Sequence, residues 1–247
     1  MASNAASFIG SSPHAPEPFW IAVDDYTLTH LNHHQRLDTI LSASVSAGLP
    51  PIATHPVLAK TLAMQARATN TTHALEVGTL GGYTPAWLAT LNPGIKVTTV
   101  EVSEAHAAVA RENLRAALGE AWAERVEIVV GAGRDVLPRL RAEVEAGTRE
   151  RFGLTYIDAD KENNWFYFDN AVAMSRQGAS VYVDNVVRGG NLVLGFEYGS
   201  RKGAASEAVL GSREVVEKAG KDERVEAVVM QTTSGKSWDG HLWATVN

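Results

Sequence analysis

From His73 onward, short apolar and β-branched runs alternate with stretches whose apolar residues recur at helical spacing. Five runs predict strands, namely HALEVG, VTTVEV, RVEIVVG, FGLTYIDAD and ASVYVDN. Four segments between them predict helices: YTPAWLATL, EAHAAVARENLRAAL, RDVLPRLRAEVEA and NWFYFDNAVAMS. Strands that alternate in this way with helices indicate an α/β fold, a parallel sheet with helices on both faces.

The C-terminal part of the chain changes this rhythm. Residues 204–219 predict another helix, and RVEAVVMQ (224–231) and HLWATVN (241–247) predict two more strands. Their connection, TTSGKSWDG, is too short for a parallel crossover helix, so these strands should run antiparallel. We therefore expect a doubly wound, mostly parallel seven-stranded Rossmann-like sheet with an antiparallel last strand.

The N-terminal part carries a different pattern. Residues 1–18 are rich in Ser, Ala and Pro and are typical of a flexible tail. Apolar positions predict one helix over 19–47 and another over 57–68. No internal repeat is visible. The expected organisation is one domain over 19–247, with a helical extension at 19–70 and an α/β core at 73–247.

Composition excludes several classes of protein. The formal net charge of −6 argues against a nucleic-acid surface. Cysteine is absent, which excludes disulfides, thiolate zinc sites and a cysteine nucleophile, and leaves oxygen and imidazole ligands for any metal. No apolar run approaches the ~20 residues that span a bilayer, and no secretory signal is visible, so a cytoplasmic protein without membrane association is expected.

Ligands of such sheets bind beyond the carboxyl ends of the strands. The first predicted strand ends in a turn whose glycines, beginning at Gly78, allow close backbone approach to a ligand. Its order, G-x-x-G-G, differs from the G-x-G-x-x-G of dinucleotide sites. Glu101, at the tip of the second strand, is either a solvated acid or an acceptor for both ribose hydroxyls. Small residues around Ala132 leave room for a flat ring beside the third strand.

Polar residues also follow the fourth and fifth predicted strands. Asp158 and Asp160 end one, and Asp184 and Asn185 end the other. If the strands are neighbours, Asp158, Asp184 and Asn185 would form an oxygen-ligand set suited to Mg²⁺ or Ca²⁺. The alternative is two independent turn-forming pairs. Lys161 is either a surface lysine or, since a nearby cation makes a lysine lose its proton more readily, a general base.

The order LEVGTLGGYT, VEV, YIDADK and VDNVVRGG resembles the class I S-adenosylmethionine-dependent O-methyltransferases. Within them it is similar to the cation-dependent branch that includes caffeoyl-CoA and catechol O-methyltransferases. The resemblance extends from about Gly48 to the C-terminus and includes DGHLW in the last predicted strand. Asn164 and Arg188 depart from the plant pattern and resemble microbial members, which leaves the acceptor open.

The resemblance implies a role for each matching residue. Asp158, Asp184 and Asn185 would hold Mg²⁺, or another divalent cation such as Ca²⁺ or Mn²⁺, and Lys161 would act as the base beside Asp158. Glu76, Gly78 and Thr84 would line the methionine part of S-adenosylmethionine. The other cofactor contacts would be Glu101 at the ribose, Ala132 at the adenine, Asp160 near the amino group, and Asp158.

The implied reaction is divalent-metal-dependent methyl transfer from S-adenosylmethionine to a hydroxyl of a small, catechol-like aromatic acceptor. The resemblance also suggests a homodimer. Two alternatives are a nicotinamide-dependent oxidoreductase, which would use the same ribose-binding acid, and a cofactor-binding protein without catalysis. The G-x-x-G-G order argues against the first, and the presence of all candidate ligands and of Lys161 argues against the second.

Overall fold

The computed structural model describes residues 17–32, 34–194 and 205–247. Most of the expected tail therefore lies outside the described residues, and Pro18 already belongs to the first helix. The start of the helix predicted at 204 also lies outside them. Among the described residues, no helix combines the length and apolar character needed to cross a membrane.

All seven predicted strands are present in one sheet. They are β1 His73–Val77, β2 Lys96–Glu101, β3 Val126–Val130, β4 Phe152–Ile157, β5 Ser175–Val183, β6 Val225–Thr233 and β7 Trp238–Val246. The order is β3-β2-β1-β4-β5-β7-β6, and β7 runs antiparallel to both of its neighbours. The predicted fold class is confirmed. The strand order reverses between β1 and β4, where such sheets form a ligand crevice.

Eight α-helices surround the sheet in the described part of the chain. They are α1 Pro18–His30, α2 Gln35–Ser46, α3 Pro56–Ala68, α4 Tyr83–Leu91, α5 Glu104–Leu118, α6 Gly133–Glu145, α7 Asn164–Met174 and α8 Glu207–Ala219. The helix predicted at residues 204–219 begins three residues later, at Glu207, with Ser206 as its N-cap. The other predicted helices lie close to their expected positions.

The single helix predicted over 19–47 is wrong, because the chain leaves helical geometry at Leu31 (φ −94°, ψ 152°). The two pieces have different surroundings: α1 has no buried residue, whereas α2 places Leu37 and Ile40 in the core. The sequence at the break, LNHH, consists largely of weak helix formers. Tertiary packing therefore favours two separate helices with different orientations over one continuous helix.

Two hydrophobic clusters cover the two faces of the sheet. One packs α6, α7 and α8 against side chains such as Val77 and Ile157. The other packs α2 to α5 against Leu154 and Tyr156. Alternate β4 residues thus enter opposite faces, as expected for a pleated strand. Tyr156 consequently lies on the face that the N-terminal helices cover.

Candidate active site

The glycine turn after β1 brings two strand ends into direct contact. Gly78 adopts φ +101°, and a Cβ there would overlap the carbonyl oxygen of Asp158. The backbone amide of Asp158 donates to the Val77 carbonyl at 2.8 Å, which holds β4 against β1. Only glycine fits this conformation and spacing without strain. The turn therefore sets the width of the crevice at the strand-order reversal.

Glu76 is a buried carboxylate at the end of β1. The Thr99 hydroxyl donates to its Oε2 at 2.6 Å, and Thr99 also lies 2.6 Å from the Thr79 hydroxyl. Burial raises the pKa of Glu76 well above its usual value, and the hydrogen bond from Thr99 only partly opposes this. A buried carboxyl in this position is suited to a positively charged ligand group.

Glu101, at the end of β2, is bound to the glycine turn. Its Oε2 accepts the backbone amides of Thr79 at 3.2 Å and Leu80 at 2.8 Å, and its Oε1 accepts the amide of Ser103 at 2.9 Å. The carboxylate thus couples β2 to the turn that follows β1. Its assignment to a ribose stays a prediction.

Tyr167 of α7 contacts both Asp160 and the start of α6, where Gly133 follows Ala132. Ala132 is the extended residue that precedes α6, and a Cβ on Gly133 would lie 2.8 Å from the Tyr167 ring. The Tyr167 hydroxyl donates to Asp160 Oδ1 at 2.6 Å, and Asn163 donates to Oδ2. Sequence reasoning missed this support for Asp160, although Tyr167 follows it by only seven residues.

The structure brings Asp158 and Asp184 together around one hydroxyl. Tyr156 donates to Asp184 Oδ2 at 2.7 Å, and its oxygen lies 3.4 Å from Asp158 Oδ2. On the other side, Lys161 Nζ donates to Asp158 Oδ1 at 2.6 Å. The independent-turn interpretation of these acids is therefore wrong. Sequence reasoning treated Tyr156 only as part of the apolar run.

Asn185 is positioned by Asp239, an acid that the sequence analysis did not single out. Its backbone is left-handed, with φ +57°, and its Nδ2 donates to Asp239 Oδ2 at 3.2 Å. Asp239 Oδ1 also accepts the backbone amides of Arg188 at 2.7 Å and Gly240 at 2.9 Å. The start of β7 thus orients the turn that follows β5.

Thr54, from the segment before α3, links the acid cluster to the first turn of α4. The Thr84 hydroxyl donates to Thr54 Oγ1 at 3.1 Å, and Thr54 Oγ1 lies 3.2 Å from the Tyr156 hydroxyl. Since Tyr156 donates to Asp184, the hydroxyls form a relay from α4 to β5. Sequence reasoning could not identify this contact, because Thr54 is about a hundred residues from Tyr156.

The electrostatics of this cluster favour a bound cation. Burial, and after it repulsion from Asp158, raise the pKa of Asp184 to about 6, while Lys161 opposes the shift. A divalent cation would relieve both causes. In the described ranges no three His, Cys, Asp or Glu side chains form a metal-binding group. Two carboxylates and an amide nevertheless fit Mg²⁺, which usually keeps several waters and takes only one or two carboxylates.

The sheet order, the glycine turn at its reversal and the acids beyond β1, β2, β4 and β5 define a class I S-adenosylmethionine-dependent methyltransferase. The profile of the O-methyltransferase family matches residues 28–237, and the chain belongs to that family. This membership confirms the resemblance and the enzyme class. It excludes the nicotinamide-dependent oxidoreductase and the non-catalytic protein.

Relatives and solved structures agree. The chain is 48% identical to the O-methyltransferase imqG of Aspergillus flavus over 96% of its own length and 94% of the relative's. It is 39% identical to a catechol O-methyltransferase of Mycobacterium tuberculosis, over 85% and 88% of the two chains. An O-methyltransferase from Bacillus cereus, solved in complex with S-adenosylhomocysteine, superposes with a TM-score of 0.81 at 35% identity, covering 93% and 99% of the two chains.

Proposed function

We propose that this enzyme methylates a hydroxyl of a catechol-like aromatic acceptor and that a divalent cation, preferably Mg²⁺, holds the acceptor. The observation that carries the proposal is the convergence of Asp158 and Asp184 on the Tyr156 hydroxyl, beside Lys161. Relatives named catechol O-methyltransferase, at 39% and 34% identity, support the acceptor class.

The proposed cofactor position is the carboxyl edge of β1, β2 and β3. Glu76 and Asp160 would face the charged methionine part, and Glu101 would face the ribose. The buried Glu76 carboxyl and the ordered turn at Gly78 support this orientation. The remaining proposed contacts are Thr84, Ala132 and Asp158.

Asp158, Asp184 and Asn185 would hold the cation through two carboxylates and one amide oxygen. When bound, a divalent cation stabilises the ionised form of a coordinated hydroxyl, which matters because a phenol has a pKa of about 10. Asp239 keeps the Asn185 amide in place by accepting a hydrogen bond from its Nδ2 at 3.2 Å. Tyr156 orients Asp184 by donating to its Oδ2.

Lys161 would take the acceptor proton on its Nζ. In the structure this nitrogen donates to Asp158 Oδ1 at 2.6 Å, and the side chain is only 12% exposed. A divalent cation held by Asp158 would favour the neutral amine of Lys161, and only the neutral Nζ could accept a proton from the acceptor hydroxyl. The closeness of Lys161 to the proposed metal ligand Asp158 supports its role as general base.

The test is methyl transfer to catechol with metal removed and restored. Excess EDTA should abolish product, and Mg²⁺ in excess over the chelator should restore it. The reason is that Asp158 and Asp184 repel each other and cannot by themselves hold an ionised catechol. Full turnover in EDTA would contradict the metal-dependent mechanism while leaving the O-methyltransferase family intact.

A homodimer is the proposed assembly. The support is an apolar stripe on α1, where Phe19 is 82%, Val23 60% and Tyr26 65% exposed. Exposed apolar patches of this kind commonly mark association surfaces. Sedimentation analysis should give twice the monomer mass of 26.5 kDa, and Val23→Glu should shift it toward the monomer. A wild-type monomer at micromolar concentration would contradict the dimer.

The cytoplasmic location stays a prediction.

A further inference from the structure

The turn between β6 and β7, residues 234–237, is docked onto the N-terminal helices. The backbone amide of Gly235 donates to Asp24 Oδ2 of α1 at 2.7 Å, and Asp24 Oδ2 also lies 3.3 Å from His55 Nε2. Lys236 Nζ donates to the Ala53 carbonyl at 2.6 Å. Three segments distant in sequence therefore meet at this turn, and the Lys236 ammonium is held at their junction.

This junction borders the acid cluster. Ala53 precedes Thr54, whose hydroxyl lies 3.2 Å from that of Tyr156, the donor to Asp184. Burial lowers the pKa of Lys236, and the nearby carboxylates of Asp158 and Asp184, in that order, raise it. Lys236 thus shares the same electrostatic environment as the proposed metal ligands, although it comes from a remote hairpin.

The two lysines of the site differ in their partners. Lys161 makes an ion pair with Asp158 at 2.6 Å. In the described ranges, no carboxylate oxygen lies within 4.0 Å of Lys236 Nζ, whose hydrogen-bond acceptor is a neutral carbonyl. An ammonium has three N–H donors, so two remain for a ligand. A half-buried cation without a paired anion is costly, and an anionic ligand would remove that cost.

Charge balance identifies the missing anion. The carboxylates of Asp158, Asp184 and Asp239 carry three negative charges, which Lys161 and a divalent cation together would neutralise. Lys236 would then face the acceptor with a surplus positive charge. Resting on the proposed function above, we propose that Lys236 is an acceptor-binding residue that selects catechol-like acceptors bearing a carboxylate substituent.

The experiment compares two acceptors of similar size, 3,4-dihydroxybenzoate and 4-methylcatechol, in the wild type, Lys236→Met and Lys236→Arg. We expect the wild type to favour the benzoate. Lys236→Met should lower kcat/KM for the benzoate about tenfold, as expected for loss of a hydrogen bond to a charged group, and change that for 4-methylcatechol by less than about twofold. Lys236→Arg should retain the preference. Lys221→Met, at an exposed lysine, should change neither value.

A binding measurement separates this inference from the proposed function. Calorimetric titration of each acceptor into enzyme with S-adenosylhomocysteine and Mg²⁺ should show the same loss for the benzoate alone. If Lys236 only clamps the turn, Lys236→Met will weaken both acceptors equally and lower the melting temperature, which would overturn the proposal. If neither acceptor is methylated, the proposed function fails, and the titration still decides whether Lys236 recognises a carboxylate.

Discussion

The acidic side chains in the two halves of the carboxyl edge of the sheet have different hydrogen-bond partners. Beyond β1 and β2, Glu76 and Glu101 are bonded by a threonine hydroxyl and by three backbone amides. Beyond β4 and β5, Asp158 and Asp184 share one tyrosine hydroxyl, and Lys161 donates to Asp158. The first half is organised by the fold alone. The second brings two carboxylates close together, which is the arrangement that the proposed cation would occupy.

The largest expected effect comes from removing one proposed metal ligand. Asp184→Ala should lower methyl transfer to catechol by more than about 100-fold, since even outer-shell partners of a metal cost 10–100-fold. Affinity for S-adenosylhomocysteine should change by less than about threefold, because Asp184 lies in the other half of the edge. Mn²⁺ titration measures the affinity for the metal, and calorimetry measures the affinity for S-adenosylhomocysteine. Asp222→Ala, at an acid paired with Arg224, is the matched control. Equal loss of both affinities would remove the distinction between the halves.

Gly78→Ala tests the half that the fold organises. The new Cβ would overlap the Asp158 carbonyl, and φ +101° disfavours any other residue, so we expect a loss of about 2 kcal/mol in the free energy of unfolding. The same strain should weaken S-adenosylhomocysteine about 30-fold. Chemical denaturation and calorimetry provide the measurements. Gly94→Ala is the control, since nothing lies within 4 Å of the position its Cβ would take. Wild-type stability of Gly78→Ala would contradict the tight contact between β1 and β4.

Tyr156→Phe tests whether the tyrosine hydroxyl orients the acids beyond β4 and β5. Loss of the hydroxyl leaves Asp184 Oδ2 without its 2.7 Å donor, so Mg²⁺ affinity should fall about tenfold. The S-adenosylhomocysteine affinity should be unchanged. Tyr182→Phe, on the neighbouring strand where Tyr182 stacks on Trp243, is the control and should alter neither. Unchanged metal affinity in Tyr156→Phe would mean that the hydroxyl does not orient Asp184.

The fold and the position of the site could be predicted because both depend on local pattern. Parallel strands that alternate with helices must end at one edge, so Asp158 and Asp184 could be placed together from sequence. Tyr156, Thr54 and Lys236 could not, since their roles arise from contacts between segments remote in the chain. The break after His30 was missed for the same reason: periodicity alone does not show which helix finds a core.

The smallest effect on the site is expected at the opposite edge of the sheet. His73, at the amino end of β1, is buried, and burial lowers its pKa from 6.5 to about 4. The unfolded chain therefore binds a proton between pH 6.5 and 4 that the folded chain does not, so stability should fall as pH drops through this window, by at most about 3 kcal/mol.

His73→Gln should flatten the slope of unfolding free energy against pH between 4 and 6.5 and leave methyl transfer at pH 7.5 within about twofold, because the site lies at the other end of the strand. Denaturation at a series of pH values measures the slope. If His73→Gln keeps the wild-type slope, the acid sensitivity of the fold comes from other groups. Asp184 is not among them, because its raised pKa favours the folded chain as pH falls.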